Sequence, residues 1–129
     1  MGGPAFETSI VTRRDEMLYT FAEFQIQGYV GRRTELGGGK VLKVSIAATD
    51  SWKDKDSGEL RERTDWNTVT LFERSTAGFA WLKENLKPGD LVHVRGRIGE
   101  SNYEKDGQTV YDTSLTADRF AVVPVGKDG

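Results

Sequence analysis

Two large aromatic side chains, Trp66 and Phe72, stand in a stretch that alternates in the manner of a β-strand. Successive side chains of a strand point to opposite faces, so both aromatics share one face with Thr68 and Thr70. The opposite face includes Leu71 and has the composition of a core. A surface of aromatics among threonines can stack flat π-systems, and nucleobases are the commonest flat ligands. This face therefore indicates a surface that binds nucleic acid.

The elements that must position this face follow from the periodicity of the chain. Residues 20–30 and 41–48 alternate as two strands, and residues 64–72 form a third. Residues 75–86 have apolar residues at helical spacing, with Ser75 or Thr76 as the cap and Trp81 as a packing residue. Residues 91–98 and 109–123 predict two more strands, the last with a break near Asp118. Five strands with a helix between the third and fourth predict an all-β OB-fold, a five-stranded Greek-key barrel.

Trp52 is a further aromatic whose position the alternation leaves open. Residues 53–63 form a long charged hairpin that joins the second and third strands. By strict alternation Trp52 falls on the core side of the second strand. Either the strand bulges or twists after Ala48, or Trp52 lies beyond the rim of the barrel.

Composition limits the classes of function. The chain has 129 residues, no cysteine, one histidine (His93) and a net charge of −2. One domain of ordinary size is expected, with no disulfide, no cofactor, no multi-histidine metal site and no segment for a membrane. A nucleophilic enzyme is not expected, because it requires a base beside a serine or cysteine. The net charge argues against indiscriminate binding to duplex DNA but allows a local basic groove.

Several short motifs occur in a fixed order along the chain. They are Gly28-x-x-Gly31, Thr49-x-Ser51-Trp52-Lys53-Asp54-Lys55-x-x-Gly58-Glu59, Arg63-Thr64-Asp65-Trp66, Val69-x-Leu71-Phe72, Lys87-x-Gly89-Asp90, Gly96-Arg97-Ile98, Tyr103, and Asp106-Gly107-Gln108-x-x-Tyr111-x-Thr113. This combination resembles the bacterial single-stranded-DNA-binding protein family over roughly residues 22–123. The resemblance implies sequence-independent binding of single-stranded DNA during replication, recombination or repair.

The resemblance also implies which aromatics stack on bases. Family members use aromatics at the positions of Trp52, Trp66 and Phe72, and often a Trp or Tyr at the position of Tyr103. The backbone of the DNA would follow a positive track. Its members are Lys43, Lys53, Lys55, Arg61, Arg63, Arg95 and Arg97.

The charges of the hairpin allow a second interpretation. The same residues 53–63 also hold acidic side chains, so a solvated, self-paired loop is an equal alternative. Thr68 stands where the family often has Arg, and residues 99–102 replace a usually basic run. Both departures predict weaker binding, or binding that depends less steeply on salt, than is typical of the family.

The first strand predicts self-assembly. Residues 23–30 contain no proline, and an exposed strand edge tends to pair with its copy in a symmetric dimer. Its outward residues Gln25, Gln27 and Tyr29 suit a two-fold contact. Asn67 occupies a position that is often His at the family's subunit contact. Family members form homotetramers, so the resemblance implies a tetramer built from two such dimers, with the dimer as the alternative.

The predicted boundaries are an N-terminal arm at residues 1–19, an OB domain at residues 20–124 and a frayed end at residues 125–129. Family members usually continue into a tail with an acidic tip that recruits replication and repair enzymes. The sequence ends without one, so the chain is either truncated or lacks that recruitment. A cytoplasmic location is expected. The competing hypothesis is an OB module for protein interaction or assembly that binds DNA or RNA weakly.

Overall fold

The computed structural model describes residues 19–125, so the predicted arm before Tyr19 and the chain end after Val125 lie outside the described residues. Five strands are present: β1 (Glu23–Leu36), β2 (Val41–Lys53), β3 (Leu60–Phe72), β4 (Leu91–Lys105) and β5 (Gln108–Val122). One helix, α1 (Phe79–Asn85), lies between β3 and β4. The strands close into a barrel in the order β1-β2-β3-β5-β4. The predicted fold class is confirmed.

The core consists of alternate residues of the strands, as the periodicity predicts. The fully buried side chains are Leu42, Val44, Ile46, Val69, Leu71, Val92 and Val94. Burial of such a side chain contributes about 1.5–3 kcal/mol. Because these positions face inward, the residues between them on the same strands are free to form the outer surface.

β1 pairs with its two neighbours through different halves of its length. Its first half, Glu23 to Tyr29, pairs with β4, and its second half pairs with β2 from Tyr29 onward. Gly28 lies at the junction, where a Cβ atom would collide with the backbone of Ala47. The pairing with β2 then shifts register between Val30 and Arg33. A glycine and a bulge together allow the sharp bend that closes a small barrel.

The helix is shorter than predicted, and the predicted cap is wrong. α1 has seven residues, and its N-cap residue is Gly78, which makes no side-chain capping bond. The Thr76 hydroxyl instead forms hydrogen bonds inside the barrel. It donates to the carbonyl of Ala117 at 2.7 Å and accepts from the N–H of Phe72 at 3.0 Å. Thr76 therefore fastens the end of β3 to β5.

α1 closes one end of the barrel with its apolar side. Phe79, Leu82 and the following Leu86 are buried in the core. Trp81 is 56% exposed, so the prediction that it packs is wrong. The spacing explains this result, because a residue next to Leu82 in a helix cannot share its face. The helix end is fixed by Arg33, whose guanidinium donates to the carbonyls of Lys83 and Leu86 at 2.8 and 2.7 Å.

Two hairpins project beyond the barrel. The first arm is residues 49–64 of β2 and β3, and the second arm is residues 99–113 of β4 and β5. Nearly all their side chains are exposed, although the strand pairing continues to the tips. Asp106 and Gly107 both have positive φ, as the predicted two-residue turn of the second arm requires. The arms add outer surface without adding core.

Candidate nucleic-acid interface

The outer surface of β2 and β3 carries the predicted stacking residues. We call Trp66, Thr68, Thr70 and Phe72, with Lys43 and Ser45, the aromatic face. The strand register places Ser45 beside Thr68 and Lys43 beside Thr70. Trp66 is 61% exposed, and Phe72 is half-buried. The structure therefore brings both predicted aromatics and one predicted lysine onto one surface.

Trp66 has a defined seat on that surface. Its indole lies across Gly31 of β1, where an added Cβ atom would fall 2.5 Å from the ring atom Cζ3. The Ser45 hydroxyl accepts the Arg32 N–H at 2.9 Å, which fixes β1 beside the ring. Gly31, Arg32, Ser45 and Trp66 line an open groove of about 460 Å³. Arg32 therefore lies in the same groove as the Trp66 ring. This cation was not predicted from the sequence.

Phe72 lies in a second groove, which also contains unpredicted cations. The guanidinium carbon of Arg74 lies 5.8 Å from the centroid of the Phe72 ring, within cation–π range. Lys40, Val41 and Glu73 complete the lining of this groove, whose volume is about 240 Å³. Arg74 therefore places a positive charge next to the Phe72 ring. The only feature of the sequence that could have indicated Arg74 is its position two residues after Phe72, at the end of a strand.

Trp52 lies beyond the rim of the barrel, on the face opposite Trp66. The pairing of β2 with β3 runs without a register shift from Val41 to Lys53, so no bulge turns the strand. Trp52 pairs with Arg61, whereas Trp66 pairs with Ala47. Trp52 is 48% exposed on the first arm. This register excludes a bulge and agrees with a position of Trp52 beyond the rim, and alternation places the two tryptophans on opposite faces.

The arginines of the first arm are paired with carboxylates in or next to the arm. Arg61 contacts Asp54 at 3.0 Å, and Arg63 contacts Asp65 at 3.3 Å. The Asp54 carboxylate also accepts the N–H of Asp56 at 2.9 Å. That backbone hydrogen bond, together with the bond from Arg61, holds the pKa of Asp54 below its ordinary value. The arm is thus self-paired, although its arginine side chains remain more than half exposed.

The predicted lysines differ from these arginines. Lys43 and Lys53 form no ion pair with any residue in the range 19–125. Both belong to the set of alternate β2 positions that faces outward with Trp66. They can therefore contact a phosphate without first giving up a carboxylate.

Arg95 and Arg97 lie on β4, away from the first arm. Arg95 stands beside Gln25 of β1 and contacts Glu23 at 3.5 Å. Arg97 contacts Asp118 at 3.7 Å and pairs with Thr116 of β5. The predicted positive track is therefore not continuous, since Arg95 lies on the surface of β1 that was predicted for assembly. The predicted break in the last strand is present, because the register shifts between Arg95 and Gly96, opposite Asp118.

The second arm presents one tyrosine on each of its faces. Tyr103 pairs with Val110, and Tyr111 pairs with Asn102 on the other face. Both side chains are exposed. Tyr103 shares the outward positions of Arg95 and Arg97, as alternation along β4 requires. The predicted stacking residue thus lies on the same side of β4 as the predicted arginines.

The residues predicted for assembly divide into two groups. Gln25, Gln27 and Tyr29 are exposed on the outer face of β1, where Gln27 also contacts His93 at 3.1 Å. Residues 23–28 pair with β4 along one edge, and no strand within the described residues pairs with the other. Asn67 instead stands beside Ile46 on the inward side of β3. It does not share a face with the glutamines.

Two features are absent from the described part of the chain, a metal-binding cluster and a membrane-spanning helix. No cluster of three or more side chains there could hold a metal ion. Among residues 19–125, no helix is long and apolar enough to cross a membrane.

Comparisons with known proteins agree with this geometry. The model of the single-strand binding protein family matches residues 22–123. Single-stranded DNA-binding protein 1 of Xylella fastidiosa (strain 9a5c) is 34% identical over 93 residues, which are 70% of this chain and 65% of that protein. The chain thus spans less than two thirds of the length of this relative.

Solved structures share the fold. A Plasmodium falciparum SSB complex with ssDNA has a TM-score of 0.59 at 22% identity. The match covers 82% of this chain and 96% of the Plasmodium chain. The mitochondrial single-stranded DNA binding protein Rim1 of S. cerevisiae has a TM-score of 0.60 at 24% identity. The match covers 84% of this chain and 100% of the Rim1 chain.

Proposed function

The chain belongs to the single-strand binding protein family, and from that premise we propose that it binds single-stranded DNA with little sequence preference. Bases stack on exposed aromatic side chains, and lysines and arginines contact the phosphates. Every base has a π-face, so stacking of this kind tolerates any sequence. Protection of single strands during replication, recombination or repair is the role that such binding serves.

The aromatic face is the observation that carries this proposal. Trp66 is exposed, yet Gly31 beneath it gives the indole a fixed seat, so little side-chain entropy is lost on binding. Lys43 lies between Trp66 and Phe72 on the neighbouring strand and can contact the intervening phosphates. Stacking contributes about 1–3 kcal/mol per base, so two platforms and a few phosphate contacts give useful affinity.

The path of the DNA must include more than this face. Because Trp52 lies on the opposite side of β2 and β3, a strand that stacks on Trp52 and Trp66 together must pass around the first arm. Arg61 and Arg63 would then exchange their carboxylate partners for phosphates. Such an exchange gains less than a contact from a free cation, because the ion pair with the carboxylate is lost.

We propose assembly through the open edge of β1. The unpaired side of residues 23–28 offers backbone donors and acceptors to a second copy. Of its outward residues, Glu23 at the start of the strand is charged, whereas Gln25 and Gln27 are neutral. A symmetric dimer results, and two dimers form the tetramer that we favour. Recruitment of replication and repair enzymes would require a segment beyond the described residues.

The proposal is tested by fluorescence titration with oligo-dT, oligo-rU and duplex DNA at two salt concentrations. We expect tryptophan quenching by oligo-dT, with tighter binding than to duplex DNA and weakening at the higher salt. Trp81 lies on α1, away from the proposed path, so it should contribute constant background emission. No quenching at low salt and micromolar protein would contradict DNA binding.

One observation favours a second candidate function. The arginines of the first arm are already paired with carboxylates, as expected of an OB module whose arms contact protein rather than DNA. Failure of the titration would favour that module. Equal affinity for oligo-rU and oligo-dT would instead show that the 2′-hydroxyl is not read.

A further inference from the structure

A groove lies where the chain enters β1, at some distance from Trp66. The N–H of Ile98 donates to the carbonyl of Ala22 at 3.0 Å, so the pairing of β1 with β4 continues for one residue before Glu23. The alternation then places Phe21 on the outward side with Glu23. Phe21 is 81% exposed, so its ring is accessible to a ligand.

The groove is aromatic on one side, open in the middle and otherwise lined by polar side chains. Phe21, Arg97, Gly99, Ser114 and Thr116 line a space of about 310 Å³. The register places Gly99 beside Ser114 and Arg97 beside Thr116. Because Gly99 has no side chain, the middle of this surface is left open. Within the described residues, no carboxylate lines the groove.

We propose that this groove is a further nucleotide subsite, in which a base stacks on Phe21 and Arg97 contacts the adjoining phosphate. The hydroxyls of Ser114 and Thr116 can donate to the same nucleotide. Arg97 is available because its contact with Asp118 is long, at 3.7 Å, and its side chain is 66% exposed. The inference rests on the proposed function and extends it, since it adds a base-stacking position at Phe21 beside Arg97, which was already predicted to contact phosphate.

The position of the groove supports this assignment. β5 joins β3 at Thr116 and Thr70, and Thr70 belongs to the aromatic face. Arg97 is therefore two strand spacings from Thr70, or about 10 Å. In the other direction, Tyr103 lies on the same side of β4 at about 13 Å beyond Gly99, given about 3.3 Å per residue. The groove thus lies between two surfaces that are already proposed to stack bases.

The test is the affinity of Phe21→Ala, in the full chain, for labelled oligo-dT of about 16 nucleotides, the upper site size for one OB-fold. We expect affinity to fall about 5- to 10-fold, because one stacking contact is lost. Phe21→Tyr should retain wild-type affinity, since it preserves the ring. Trp81→Ala is the matched control, because it removes another exposed aromatic on α1 and should leave affinity unchanged.

A second variant tests the phosphate contact. Arg97→Ala should make the slope of log K against log salt shallower by about 0.7, the value for one phosphate contact to a single strand. An unchanged slope would overturn the role of Arg97.

The outcomes separate this subsite from the proposed function. If Trp66→Ala weakens binding and Phe21→Ala does not, the chain binds DNA but the subsite is wrong. If the wild-type chain does not bind oligo-dT, both fail. If Phe21→Ala instead changes the mass in light scattering and leaves DNA affinity unchanged, the groove is a subunit contact and the inference is overturned.

Discussion

At the scale of single residues, exposure distinguishes stacking from packing. Trp66 and Phe72 lie on the outer surface of β3, next to positions that are fully buried. Trp66→Ala and Phe72→Ala should each weaken binding to oligo-dT by about 1–3 kcal/mol. Both variants should keep the circular dichroism of the wild type, because neither ring belongs to the core cluster. Loss of the fold in either variant would show that the ring packs the barrel.

A substitution that does not touch the ligand tests the seat of Trp66. Gly31→Ala puts a methyl group into the indole, so we expect the ring to move and oligo-dT affinity to fall severalfold. The same substitution in a Trp66→Ala background should cost almost nothing, since the clash is gone. Titrations of the four proteins form a double-mutant cycle. Additive losses would mean that Gly31 acts independently of Trp66.

The sequence predicts these residues only where their roles depend on strand parity. Alternation placed Trp66 and Phe72 on one surface, because parity is fixed by the backbone. Arg32 and Arg74 could not be predicted, because they reach the aromatics through a bulge in β1 and a turn after β3. Such contacts depend on how distant segments meet.

At the scale of elements, the end of β3 depends on one buried hydroxyl. Thr76→Val preserves the shape of the side chain but leaves the Ala117 carbonyl and the Phe72 N–H without their partner. An unsatisfied buried group costs about 1–3 kcal/mol, so the free energy of unfolding should fall by about that amount. Urea unfolding measures this loss.

Ser75→Ala is the control for that experiment. Ser75 is exposed, and the sequence offered it as an alternative helix cap. Its hydroxyl makes no hydrogen bond with residues 19–125, so we expect little change in stability. A larger loss in Ser75→Ala than in Thr76→Val would indicate that the cap predicted from the sequence exists after all.

The elements themselves were easier to predict than their ends. Five alternating segments and an apolar helical repeat gave the correct order, because each pattern extends over many residues. The helix was predicted too long, since Ser75 and Thr76 resemble a cap in isolation. The hydrogen bond that Thr76 makes instead is to the carbonyl of Ala117. Ala117 is distant in sequence, so the sequence alone does not identify it as a partner.

At the scale of the whole molecule, the open edge of β1 predicts association. Light scattering at roughly tens of micromolar protein should give the mass of a tetramer, or of a dimer if the second contact is weak. Gln25→Pro removes a backbone donor from this strand, and proline is poorly tolerated inside a sheet. It should lower the mass if the fold survives, which circular dichroism checks. A monomeric mass for the wild type would refute assembly through this edge.

Trp52 on the first arm and Trp66 lie on opposite faces of the paired strands β2 and β3, and this arrangement has a kinetic consequence. A strand held at two separate places can leave one of them while the other keeps it bound, so release proceeds in steps. The vacated place is then open to an incoming strand, which can complete the replacement before the first strand departs. The measured off-rate of bound DNA should therefore rise with the concentration of free competitor DNA. If the strand were bound at a single place, the off-rate would not depend on competitor.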